Sequence, residues 1–250
     1  MTTTPHAADA ARSPLRLKEL ASADVRAAFA RAPILIIPVG TCEHHGPHLP
    51  LGCDTIVVER LADELSAATG VVRAPAVEFG VNDVAAAGSA SVRRKTLRRW
   101  LNDLLVDWER QGIRDFLILT MSGHAAHQEA LGTIVTERAR VRVVDILAFD
   151  LSPFLDEPHG PIHGGEADTS LVLHVAPHLV RMDLARDCIL PEAERRRYRR
   201  GSRLKLPERA DGSVGLATRA TAGKGRSIYQ HIMTRLVRYL ADANSGAATG

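Results

Sequence analysis

Apolar residues recur along this chain in two periods. Ile34-Leu35-Ile36-Ile37-Pro38-Val39 is a short, unbroken, largely β-branched run, the pattern of a parallel strand buried on both faces. Phe116-Leu117-Ile118-Leu119-Thr120 repeats it, and Val141 to Phe149 predicts a third strand. Between the strands the spacing turns helical. Thr55 to Ala68 lines up Ile56, Val57, Leu61 and Leu65, and Thr96 to Gln111 lines up Leu97, Leu101, Leu104, Leu105 and Trp108 before a stop at Gly112. Further helices are predicted over Ala126 to Arg138, from Glu166 through Leu171, Val172 and Val175, and over Gly223 to Ala243. Strands alternating with helices predict an α/β fold with a mainly parallel sheet covered on both faces.

In such sheets ligands sit beyond the carboxyl ends of the strands. Here both strand ends run into histidine-rich loops. After Val39 comes Glu43-His44-His45-Gly46-Pro47-His48-Leu49-Pro50-Leu51-Gly52-Cys53-Asp54, and after Thr120 comes Ser122-Gly123-His124-Ala125-Ala126-His127. Carboxylate and imidazole together suit Zn, Mn or Fe. In an extended loop Glu43 and His45 point to the same side, and Gly46, Pro47, Pro50 and Gly52 turn the chain so that Asp54 returns beside them. Asp54 also precedes a helix, where a capping role would explain it alone, but capping does not account for the neighbouring Glu-x-His. His124 is the fourth candidate ligand, since Gly123 permits close approach. A third cluster, His159-Gly160-Pro161-Ile162-His163-Gly164-Gly165-Glu166-Ala167-Asp168-Thr169-Ser170, opens a helix whose positive end Glu166 and Asp168 would compensate.

Composition narrows the class. The 250 residues are 45% apolar and 24% charged, as expected for one globular domain, assigned to residues 14–243 between a disordered tail at 1–13 and a flexible tail at 244–250. No apolar run is long enough to span a membrane and the first residues lack a secretory core. Cys42, Cys53 and Cys188 form no disulfide framework, so a reducing cytoplasm is expected. The net charge of +3 is concentrated in Arg195, Arg196, Arg197, Arg199, Arg200, Arg203 and Lys205. That run reads as a solvated helix end, loop or inter-subunit contact, and with 4% aromatics there is little to stack on bases, so no nucleic-acid partner is expected.

At this point the blocks resemble the creatininase (creatinine amidohydrolase) family. The resemblance rests on Pro38 through Asp54, on Ser122-Gly123-His124, on His163 through Ser170, and more weakly on Gly223-Lys224-Gly225-Arg226. It implies a three-layer α/β/α fold and a dinuclear centre of two divalent ions, Zn2+ first with Mn2+ or Fe2+ as alternatives. It also implies hydrolysis of an amide, formamide or cyclic-amide C–N bond by metal-activated water. By matched position Glu43, Asp54 and His124 would hold one ion, and His45, Asp54 and Glu166 the other, with Asp54 bridging. His163 would shuttle protons beside Glu166, and His48, His127 and His159 would touch a small-molecule substrate. A homo-oligomer, often a hexamer, is usual for such proteins. Ala126 replaces an expected metal-binding Glu, and His159 stands where an aromatic residue is expected, which argues against creatinine itself. The alternatives are a biosynthetic deformylase or precursor-peptide peptidase of the same family, its anionic substrate held by the Arg195 to Lys205 run, or a metal-binding homologue without activity.

Overall fold

Successive residues of the strand Ile34–Val39 (β1) project to opposite sides of the sheet. Ile34 and Ile36 enter one core, while Leu35, Ile37 and Val39 enter the other. The strand Asp115–Thr120 (β3) divides in the same way, with Leu117 and Leu119 against Phe116 and Ile118. Val72–Arg73 (β2) and Arg140–Asp145 (β4) complete a four-stranded sheet of order β2-β1-β3-β4, parallel throughout. The computed structural model describes residues 12–82, 86–157, 162–194, 206 and 208–246.

Six helices of eight residues or more flank this sheet among the described residues: Ser22–Arg31 (α1), Cys53–Thr69 (α2), Arg94–Arg110 (α3), Ala125–Gly132 (α4), Glu166–Val175 (α5) and Ala222–Gly246 (α6). Val57 and Leu61 of α2, Leu171 of α5, and Ile232 and Leu236 of α6 fill the core on one face. Phe29 of α1, Leu101 and Leu105 of α3, and Leu131 of α4 fill the other. The result is the expected three-layer α/β/α arrangement. None of the described helices is long and apolar enough to cross a membrane.

Two predicted boundaries move, each for a local reason. The helix expected to reach Arg138 ends at Gly132. Beyond it the Glu109 carboxylate on α3 accepts hydrogen bonds from the backbone N–H groups of Glu137 (2.8 Å), Arg138 (2.5 Å) and Ala139 (2.5 Å), which fixes that stretch as a loop. The strand expected to reach Phe149 ends at Asp145, whose side chain accepts from Leu147 N at 3.0 Å and starts a 3-10 turn. His159 and the Arg195 to Lys205 run lie outside the described residues.

The topology sets the location of a site. β1 and β3 are level, from Ile34 opposite Asp115 to Val39 opposite Thr120. The chain leaves β1 for α2 on one face and leaves β3 for α4 on the other. A crevice opens between the carboxyl ends of neighbouring parallel strands whose connections diverge in this way, and the two histidine-rich loops border it.

Candidate metal centre

Gly40 ends β1 where no larger residue fits. A Cβ there would lie 2.6 Å from the backbone nitrogen of Thr55 and 2.2 Å from its hydroxyl oxygen. This close approach seats the first turn of α2 against the strand end and brings Asp54 back beside the loop that carries Glu43 and His45. All three side chains are buried. His45 Nε2 lies 3.1 Å from Asp54 Oδ1 and 3.8 Å from Glu43 Oε1. The other carboxylate oxygen of Asp54 accepts from the Thr41 hydroxyl at 2.8 Å. His45 Nδ1 donates to the Glu43 carbonyl at 3.2 Å, which turns Nε2 towards the carboxylates. An outer hydrogen bond that fixes ring orientation in this way is what a metal-binding imidazole needs.

The electrostatics describe a cation site holding a proton. Burial disfavours the imidazolium of His45, but Asp54, then Glu43 and Asp168, outweigh it and keep the ring protonated up to about 10. Burial lifts Glu43 to about 7, with His45 opposing the shift and Asp54 and Asp168 reinforcing it. Asp54 is also penalised by burial, yet His45 and the Thr41 hydroxyl bring it below the usual carboxylate range. Cys53 adjoins His45 and Asp54, but burial and the charges of Asp168, Asp54 and Glu43 push its thiol well up, so it stays S–H rather than thiolate.

His163 reaches the site from the third loop. Its ring stacks on His45 with centroids 4.3 Å apart, and its Nε2 donates to the His44 carbonyl at 2.8 Å. Burial, followed by the charge on His45, lowers it to about 3, so the ring is neutral with Nδ1 unprotonated. Potential ligand atoms lie within 4.8 Å of one another in two sets, Glu43 with His45 and His163, and His45 with Cys53 and Asp54. His124 is the N-cap of α4 at the end of the β3 loop, outside both sets.

Other candidates occupy different surroundings. The Glu166 carboxylate, fully buried, accepts from the backbone N–H groups of Asp156 (3.1 Å) and Glu157 (2.8 Å) and forms a short ion pair with Lys224 Nζ. Lys224 also binds Asp156 Oδ2 at 2.8 Å and the Arg219 carbonyl at 3.1 Å. His127 was expected at the substrate, but both ring nitrogens are engaged in the protein frame. Nδ1 accepts from Val81 N at 3.2 Å and Nε2 donates to the Thr120 hydroxyl at 3.1 Å. His48 is buried beside α5, with Nε2 2.9 Å from the Thr169 hydroxyl, and burial lowers it to about 4.

Sequence reasoning passed over Asp168, Lys224 and Thr41. The sequence pattern offers Asp168 only a helix-end role, yet Gly164 N donates to one of its oxygens and the other is buried with no hydrogen-bond partner among the described residues. Its place two residues after Glu166 in the third block was the available signal. For Lys224 the signal was the Gly-Lys-Gly-Arg stretch.

Comparison with known proteins agrees with this architecture. The family model described as creatininase, creatinine amidohydrolase, matches residues 18–240. The chain is 31% identical over 225 residues to the mycofactocin precursor peptide peptidase of Mycobacterium ulcerans, covering 84% of this chain and 85% of that one. It is 24% identical over 252 residues to the 3-dehydro-scyllo-inosose hydrolase of Thermotoga maritima, covering 87% and 80%. The crystal structure of a creatininase superposes with a TM-score of 0.75 at 19% identity, covering 92% of this chain and 98% of that one. Solved creatininase structures include a zinc–zinc form and a manganese form.

Proposed function

The chain belongs to the creatininase family, and from that premise we propose that it is a metal-dependent amidohydrolase cleaving a C–N bond other than a peptide bond in a small molecule. The observation that carries this reading is His45 Nε2 set 3.1 Å from Asp54 and 3.8 Å from Glu43, with its Nδ1 tied back to the Glu43 carbonyl. An imidazole and two carboxylates buried together at a strand end form a donor set suited to a divalent cation. In this reading Glu43, His45, Asp54 and His124 would hold the two divalent ions, Zn2+ or Mn2+ as in solved creatininase structures. When bound, the ions acidify water and polarise the carbonyl under attack.

The protein supplies orientation and proton transfer. Thr41 fixes the rotamer of Asp54, and the Glu43 carbonyl fixes that of His45. His163, neutral and buried, accepts a proton at Nδ1 and returns it to the leaving nitrogen, which departs poorly unless protonated. His48 borders the site as a contact for the substrate. The enzyme is assigned to the cytoplasm as a homo-oligomer, and its three free cysteines fit a reducing compartment.

A second reading, trimming of a precursor peptide, is favoured by the 31% identity to the Mycobacterium ulcerans peptidase. The two separate in one assay. The metal-loaded protein is offered amides, formamides, cyclic ureas and short peptides, and the proposal requires turnover of one of the first three classes. Turnover of peptides alone selects the second reading, and two bound ions without any turnover identify an inactive homologue. Within the active case, His163→Ala is expected to keep its metal and lose roughly 10²–10⁴-fold in rate. Unchanged turnover removes His163 from the mechanism.

A further inference from the structure

Two carboxylates on α5 compete for one role. Glu166 and Asp168 are two residues apart, so on a helix they point about 200° away from each other. Only one of them can face the ions. We infer that Asp168, and not Glu166, supplies the carboxylate that closes the metal centre opposite Glu43 and Asp54, an inference that rests on the dinuclear reading above.

Glu166 is already engaged. Two backbone N–H groups and the Lys224 ammonium surround its carboxylate. A divalent cation placed there would displace or face a positive charge. Asp168 is also buried but only half satisfied. Its Oδ2 accepts from Gly164 N, and its Oδ1 is buried without a hydrogen-bond partner among the described residues. A buried carboxylate oxygen left without a donor is unfavourable, and on a wall facing the Glu43 to His48 loop it points to a cation as its partner.

The surroundings indicate which partner. Gly164, which anchors Asp168, is itself pressed against the His45 loop. It adopts φ +59°, and a Cβ on it would lie 2.4 Å from the His45 carbonyl oxygen. The next residue, Thr169, holds the ring of His48 at 2.9 Å. Asp168 therefore sits on the wall of α5 that touches the Glu43 to His48 loop, while Glu166 turns towards α6. Asp168 stands outside the two tight sets around His45, so it would add a carboxylate to them rather than share their atoms. Lys224 then has a separate role, neutralising Glu166 so that α5 and α6 can pack around a buried acid.

The test uses the full chain with Asp168→Asn and Glu166→Gln, each stripped with chelator and reloaded with Zn2+ or Co2+. Metal equivalents, affinity and melting temperature are measured with and without metal. Asp168→Asn is expected to bind one fewer equivalent, or the weaker ion at least tenfold less tightly. Its metal-free form should melt above metal-free wild type, because a carboxylate repelling Glu43 and Asp54 has been removed. Glu166→Gln is expected to keep both ions and to melt lower in both states, having lost its partnership with Lys224. Wild-type stoichiometry and affinity in Asp168→Asn overturn the inference, as does an Asp168→Asn chain that fails to fold or melts below wild type without metal. Loss of an ion from Glu166→Gln alone also overturns it. Wild type that binds no ion at all defeats the dinuclear reading itself, so the two failures are distinguishable.

Discussion

Metal-free protein titrated with Zn2+ is expected to release a proton from His45. With His45 Nε2 at 3.1 Å from Asp54, the attraction is about 5 kcal/mol at an effective dielectric of about 20. Glu43 at 3.8 Å adds about 4 kcal/mol when ionised. Against this stands a burial penalty of several kcal/mol per ion, so the ring keeps its proton up to about 10. A metal needs the Nε2 lone pair, so metal and proton exclude one another. Affinity should then rise about tenfold per pH unit, about 1.4 kcal/mol, through the neutral range. Below pH 7 the slope should steepen as Glu43, lifted to about 7, must also give up a proton. The metal-free fold responds with the opposite sign. A histidine raised from 6.5 to about 10 stabilises the fold fully below 6.5, and that contribution is lost as pH rises through 10. Isothermal titration in phosphate and in Tris measures the released protons from the difference in heats, and repetition from pH 6 to 9 gives the slope. Heats independent of buffer, together with a flat affinity between pH 7 and 9, would show that His45 is neutral in the free protein and refute the reasoning. His45→Asn should abolish the release.

Two further outcomes probe the frame around the site. Gly225→Ala would place a Cβ 1.8 Å from the Ser170 carbonyl oxygen and 2.6 Å from its carbon, forcing α6 away from α5. Chemical denaturation should show a loss of about 1–3 kcal/mol, and an unchanged midpoint would mean that the helices are less closely packed than described. Glu109→Gln should lower the melting temperature by a few degrees at neutral pH. Burial opposes the charge of Glu109, but three backbone donors overcome it and hold the group below its usual 4.5. Its contribution is therefore present above 4.5 and lost as pH falls through the lower native value. Melting curves of variant and wild type should converge in acid, and a gap that persists there contradicts the charge-based account.

How much of this was legible beforehand follows from the range of the interactions involved. β1 and β3 were readable because strands buried on both faces leave continuous apolar runs. α2 and α3 were readable because one-sided burial leaves a 3.6-residue period. The ends of α4 and β4 were not, since they are set by Glu109 acting from 28 to 30 residues away and by a side-chain cap on a 3-10 turn. α1 was missed because it buries only Ala28 and Phe29, too few to make a periodic pattern. In the site, Glu43, His45 and Asp54 announced themselves by proximity in sequence. Glu166 and Asp168 could not be told apart in the same way. Which of them turns inward depends on Lys224, 58 residues from Glu166, and on how closely Gly164 packs against His45. The hydrogen bonds of His127 to Val81 N and Thr120 come from segments whose approach its own sequence neighbourhood does not reveal.

The central claim is that distant loops converge on a pair of ions at the carboxyl ends of β1 and β3. Crystals grown with Zn2+ and measured on both sides of the zinc absorption edge test it most directly. The account predicts two anomalous peaks bounded by Glu43, His45, Asp54 and His124, with Asp54 between them. Metal-saturated crystals with no peak among those residues would contradict it.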